Sequence, residues 1–172
     1  MKSQGFEDYA KIFKPDYCGY IFMDPGTDQN MKEAIAEARK GCAEGGIPIG
    51  SVLVIDGNIV GRGHNRRVQQ GSAILHADMD CIKNAGRLNP EDYQRAILYS
   101  TLSPWDMCSG TVLLYKIPKI VIGENTTFQG TEDYLRSRGV ELVILNNTEC
   151  IQMMRDFISA DPGMWNEDIG EE

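Results

Sequence analysis

Apolar positions along this chain fall into alternating helical and strand patterns. Phe6, Tyr9, Ala10 and Phe13 recur at helical spacing until Pro15 stops them, and Asp24-Pro25-Gly26 marks a turn. Residues 1–28 therefore read as an extension whose apolar stripe docks on the chain's own body. Asn30 with Glu33 gives a capping-box pattern at the start of the next helix. Its apolar face is Met31, Ala34, Ile35, Ala38 and Cys42, and Gly45-Gly46 with Pro48 ends it. Ile49 to Ile55 is β-branched, Asp56-Gly57 signals a hairpin, and Asn58 to Arg62 returns as a second strand. Residues 63–73 read as a loop. The spacing then predicts a helix from Ile74 to Ala85, a strand from Ala96 to Thr101 and a helix from Asp106 to Tyr115. It continues with a strand from Ile117 to Ile122, a helix from Thr131 to Arg138 and a strand from Val140 to Leu145. A closing helix runs from Thr148, its expected cap, to Ala160, with Pro162 as the stop.

One helix, a β-hairpin, then alternating strands and helices predict a single α/β domain over residues 29–172. Its expected core is a mixed five-stranded sheet with helices on both faces. No repeat or linker divides the chain, and 172 residues suffice for one core.

Charge changes the picture of the partner. The formal net charge is −8, and no basic cluster exceeds the Arg66-Arg67 pair. Duplex binding needs a basic face that displaces counterions. Long nucleic acid and anionic membrane are therefore poor partners, and a small uncharged molecule is a better one. No apolar run approaches a membrane span, and charged residues break up the N-terminal stretch, which predicts a cytoplasmic protein. Five scattered cysteines, an odd number, read as reduced thiols rather than a disulfide frame.

The chemistry concentrates in two segments, His76-Ala77-Asp78 and Ser103-Pro104-Trp105-Asp106-Met107-Cys108. Three others accompany them: Gly61-Arg62-Gly63-His64-Asn65, Ile122-Gly123-Glu124-Asn125 and Trp165-Asn166-Glu167-Asp168-Ile169-Gly170. Together they resemble the small fungal-type cytosine deaminases of the zinc-dependent cytidine and nucleobase deaminase superfamily, over about residue 29 to the C-terminus. That superfamily carries H-x-E and P-C-x-x-C, in which the His and both Cys bind zinc and the Glu shuttles protons. The resemblance implies a three-layer α/β/α sandwich, a homodimer, and hydrolysis of a C–N bond at an amidine-like carbon of a small free heterocycle. It implies ring contacts from Asn65, the Ala77 backbone N–H, Ser103, Phe128, Trp165 and Asp168.

Two departures fall on the chemistry. Trp105 stands where the family has a zinc-binding Cys, and Asp78 where it has the Glu. An indole offers an N–H and no lone pair to a metal. His76 and Cys108 alone are too few for catalytic zinc, which takes three protein ligands and a water. Asp78 retracts the carboxylate by roughly one C–C bond, about 1.5 Å.

Three readings stay open. Asp80 lies four residues after His76, on the same helix face, and could restore a His76, Asp80, Cys108 metal set with Asp78 moving protons and Trp105 reshaping the pocket. Alternatively Cys108, at a helix N-terminus, pairs with His76 as a nucleophile. In the third reading the protein is catalytically silent and metal-free, and binds a base-like ligand or a partner.

Overall fold

In the computed structural model, which describes residues 28–171, Asp28 caps the first helix. Its carboxylate accepts the backbone N–H groups of Asn30 (2.9 Å) and Met31 (3.3 Å). The helix, α1 (Gln29–Ala43), thus begins before Asn30, the expected cap, because Asp28 satisfies the orphan donors first. The expected extension lies outside the described residues apart from Asp28.

Strands β1 (Gly50–Ile55) and β2 (Asn58–His64) form the anticipated hairpin around Asp56-Gly57. A bulge between Leu53 and Val54 leaves Val60 unmatched on β2. The expected loop after β2 holds one short helical turn, α2 (Arg67–Gln70). Helix α3 (Ala77–Ala85) starts later than the apolar pattern suggests, with His76 as its N-cap residue. The turn α4 (Pro90–Tyr93) precedes β3 (Ala96–Leu102) and helix α5 (Asp106–Tyr115). Strand β4 (Lys119–Glu124) begins two residues after the expected Ile117. Pro118 has no N–H for a ladder, and its carbonyl instead accepts from Glu141 N–H at 2.9 Å. Helix α6 (Glu132–Ser137), strand β5 (Glu141–Ile144) and helix α7 (Thr148–Ala160) follow the expected order. Asn147, not Thr148, caps α7 by accepting Cys150 N–H at 3.0 Å.

The sequence pattern stopped at Pro162, yet Pro162 opens a further helix, α8 (Pro162–Ile169). Proline at the first helical position has no donor to lose, and Asp161 accepts Met164 N–H at 2.8 Å as the cap. Helix α8 brings Trp165 and Asp168 back to the body of the domain.

The sheet order is β2-β1-β3-β4-β5. The hairpin and the β1–β3 pair are antiparallel, and β3–β4 and β4–β5 are parallel. One face packs Leu53, Leu98, Ile120 and Ile122 against Cys81 and Ile82 of α3, Val112 of α5 and Leu135 of α6. The other packs Val52, Val54, Tyr99 and Val121 against Met31, Ala34 and Ile35 of α1 and Cys150 of α7. The domain is therefore the expected three-layer α/β/α sandwich.

Helix α3 lies on β2 almost without side chains between them. A Cβ on Gly63 would fall 2.7 Å from the Asp80 carbonyl carbon, and one on Gly61 would fall 2.6 Å from the Cys81 carbonyl oxygen. This close approach sets the depth at which α3 delivers His76 and Asp78. A third apolar cluster, built on Ile47, Leu102, Met154, Phe157 and Trp165, sits at the carboxyl end of β3 and includes Ala77, Trp105 and Phe128. Cys81, Cys108 and Cys150 are free and buried. Cys42 is disulfide-bonded, which corrects the expectation of five reduced thiols. No helix among the described residues is long and apolar enough to cross a membrane.

Candidate active site

Four segments converge at the carboxyl ends of β3 and β4, where open α/β sheets place ligands. They are the end of β2, the start of α3, the β3–α5 junction and α8. Asn65, just past β2, is fully buried. Its Nδ2 donates to Asp168 Oδ1 at 3.0 Å, and its Oδ1 accepts Arg67 N–H at 3.1 Å. Arg67 Nη1 donates to the same Asp168 oxygen at 2.8 Å. Residues 103 apart in sequence are thereby locked together, and Asp168 Oδ2 is left without a hydrogen-bond partner. His76 Nε2 lies 3.8 Å from Asp168 Oδ1, and His76 Nδ1 is buried and unpartnered. Burial lowers the His76 pKa, with the Arg67 charge adding to that, against the opposing pull of Asp168 and Asp78. The imidazole is accordingly held toward its neutral form.

Asp78 sits in the first turn of α3 and is buried. Desolvation raises its pKa, while the hydroxyls of Ser100 and Ser51 and the thiol of Cys108 lie against the carboxyl and oppose the rise. Its Oδ1 has no partner. Cys108 is the third residue of α5 and is buried. Burial pushes its thiol well up, and the Asp78 carboxyl adds to that. The helix N-terminus does not prevail over these two effects. In the reading in which Cys108 pairs with His76 as a nucleophile, both this burial and the Asp78 carboxyl act against forming the thiolate.

Asp80 does not join His76 and Cys108. Its Oδ2 accepts from Arg66 Nε at 3.0 Å and from His64 N–H at 3.3 Å. The helix does put His76 and Asp80 one turn apart, but Arg66 draws the Asp80 carboxylate into a structural ion pair. This corrects the expectation of Asp80 as a third metal ligand. Among the described residues no group of three His, Cys, Asp or Glu is arranged to hold a metal ion.

Trp105 is the N-cap residue of α5. Its indole stacks on Phe128, with ring centroids 3.7 Å apart and planes at 19°. Trp165 tilts against both, at 5.9 Å from Trp105 and 6.0 Å from Phe128. The edge of His76 meets Trp105 at 6.0 Å and 84°. Ala77 is buried in the same cluster. Ser103 uses its hydroxyl structurally: it donates to Glu132 Oε1 at 2.9 Å and accepts Gly130 N–H at 3.0 Å. Buried Glu124 accepts the N–H groups of Thr126 and Thr127 and the Thr127 hydroxyl. Both carboxylates hold the segment that carries Phe128.

The sequence patterns missed Arg67, Glu124 and Glu132. Arg67 left a signal, as half of a basic pair directly after Asn65. Glu132 left none, because its buried partner Ser103 comes from a distant turn, and Glu124 stood in a family-like segment whose local turn contacts to Thr126 and Thr127 the pattern did not mark.

The family profile of the cytidine and deoxycytidylate deaminase zinc-binding region matches residues 26–124. A cytosine deaminase of Candida albicans is 48% identical over 144 residues, spanning 83% of this chain and 96% of that protein. A solved structure from a study of tRNA:A34 deaminases aligns with a TM-score of 0.61 at 25% identity, covering 72% of this chain and 97% of that one. The guanine deaminase of Nitrosomonas europaea aligns with a TM-score of 0.59 at 17% identity over 76% of this chain and 83% of that one, which shows the fold. The matched region is zinc-binding in its family. Here the donor set does not fit zinc, since His76 and Cys108 remain, Trp105 offers no lone pair, and Asp80 is committed to Arg66.

Proposed function

Because this chain belongs to the cytidine and deoxycytidylate deaminase family as a cytosine-deaminase-like member, we propose that it is a hydrolase acting on a C–N bond of a small free nucleobase. The observation that carries this reading is the polar knot of Asn65, Arg67 and Asp168, locked beside His76, with Trp165 three residues before Asp168 on α8 and packed in the apolar cluster that holds Phe128. Amides and carboxylates in an apolar pocket suit a neutral ring with alternating donors and acceptors.

In this reading Asn65, the Ala77 N–H, Ser103, Phe128, Trp165 and Asp168 hold the ring, with its amine toward Asp168. Hydrolysis puts the oxygen of water on the ring carbon and releases ammonia. One proton from water must reach the ring nitrogen and one the departing amine. Asp78 is the carboxyl placed to carry them, and its burial favours the acid form that donates. With this donor set no step is assigned to a metal, and proton transfer is assigned to Asp78.

The test is ammonia release from cytosine by the purified chain, alone and with added zinc, against Asp78→Asn. Release that Asp78→Asn abolishes supports the reading. Cytosine binding with no ammonia under either condition supports a second one, recognition without turnover. A specific observation favours that second reading: Trp105 removes a donor and fills space beside the ring-binding residues. We further propose a homodimer, as related deaminases often are, and a cytoplasmic location, with the deaminase-like domain at 29–172 behind an extension at 1–28. Sedimentation of the full chain tests the dimer.

A further inference from the structure

The ring-binding half of the site is filled from within. At a centroid separation of 3.7 Å, Trp105 and Phe128 are in van der Waals contact, and no planar guest fits between them. His76, whose ring edge meets Trp105, leaves Nδ1 buried and unpartnered, and its neighbours Asp168 and Asp78 leave Oδ2 and Oδ1 likewise. Buried polar groups normally find partners, and an unpaired one retains its desolvation cost. The indole has one N–H and no acceptor, so it cannot satisfy this set of atoms. A planar heterocycle with an exocyclic amine and ring nitrogens could.

We propose that the Trp105 indole is a displaceable occupant of the ring slot, stacked on Phe128 where a planar heterocycle would lie, so that a ligand enters by turning it out. The proposal rests on the heterocycle-pocket reading above. Two features make the exchange feasible. Trp105 is half-buried, which leaves its ring a way to solvent. It also caps α5 with extended backbone (φ −75°, ψ 170°), so its side chain can rotate without unwinding a helical turn.

Calorimetric titration of cytosine and of 2,6-diaminopurine into the full chain, Trp105→Ala and Trp105→Phe tests this. Trp105→Ala should bind at least one probe about tenfold tighter than the parent, equivalent to about 1.4 kcal/mol. Trp105→Phe keeps a smaller stacking ring and should fall between them, which preserves the test if the alanine variant folds poorly. In a Trp165→Phe background Trp105 is the single tryptophan, and ligand should shift its emission to the red and open it to acrylamide. Equal affinity in all three forms, or weaker binding in Trp105→Ala, overturns the plug and makes Trp105 a wall of the pocket. No binding of either probe by any cooperatively melting form removes the heterocycle reading itself, and the plug with it.

Discussion

Removing Arg66 separates a structural role for Asp80 from a metal-binding one. The Asp80 side chain is 2% exposed and accepts from Arg66, whose side chain is 26% exposed, at 3.0 Å. A hydrogen bond to a charged group contributes about 1.5–3 kcal/mol. Breaking a fully buried pair costs about 3–5 kcal/mol. Water reaches Arg66, so Arg66→Ala should cost about 2 kcal/mol, below that range. Asp80→Ala removes the same pair and also the acceptor of His64 N–H at 3.3 Å, for about 3 kcal/mol. Once Asp80 is gone Arg66 has little left to lose there, so the double variant should also cost about 3 kcal/mol. The coupling energy is then about 2 kcal/mol, read from urea unfolding of the four proteins with equal m-values. In thermal melts the Arg66 change alone should lower Tm by about 4–8 °C, at roughly 2–4 °C per kcal/mol for a chain of this size. Effects that add to within about 0.5 kcal/mol would refute the ion pair. Zinc bound by the parent and lost in Asp80→Ala but kept in Arg66→Ala would restore Asp80 as a ligand.

Three shorter tests follow from the same packing. Gly63→Ala drives a methyl into the α3 backbone beside Asp80 and should cost about 1–3 kcal/mol in urea unfolding; an unchanged midpoint would show that α3 sits farther from β2. Cys81, Cys108 and Cys150 are buried, and burial raises the pKa of each thiol, so a thiol reagent at pH 8 should leave all three unlabelled in the native protein and label them in urea. Mass spectrometry of the peptides reads this directly, and rapid native labelling of Cys108 would reopen the nucleophile reading. Trp105→Cys combined with Asp78→Glu should take up about one zinc per chain by elemental analysis, where the parent holds far less; equal metal content in both would contradict the donor-set argument.

The chain's patterns were most informative where one face of an element meets one layer of core. Met31, Ala34, Ile35 and Ala38 fall on the buried face of α1, and β1 is buried along its whole length. The patterns were least informative at ends and turns, where single polar atoms decide. Asp28 prevails over Asn30 as a cap because its carboxylate accepts two N–H groups. Pro162 reads as a stop and serves as a start because a proline ends one helix and opens another by the same missing donor. In the site, helical spacing brought His76, Asp78 and Asp80 to one turn of α3, but it could not show what else competes for each carboxylate. Arg66 takes Asp80, and Cys108, Ser51 and Ser100 crowd Asp78. The stacking of Trp105 on Phe128 joins residues from separate loops held by Glu124 and Glu132, a contact that no local pattern encodes.

The two departures in the motif act as a pair. A tryptophan at position 105 removes a metal donor and adds a ring of about the size of the pocket's expected guest. The shorter Asp78 carboxyl lies against Cys108, which no longer has a cysteine donor at position 105. Burial raises the pKa of both the Asp78 carboxyl and the Cys108 thiol at this end of the site. The indole is accommodated there by stacking on Phe128 and by the edge of His76. The polar knot of Asn65, Arg67 and Asp168 approaches His76 through Asp168 at 3.8 Å, and Arg67 already pairs with that carboxylate. The contacts that fix Asn65, Arg67 and Asp168 are therefore a separate set from those around Cys108 and Asp78, so a change at position 105 need not disturb them.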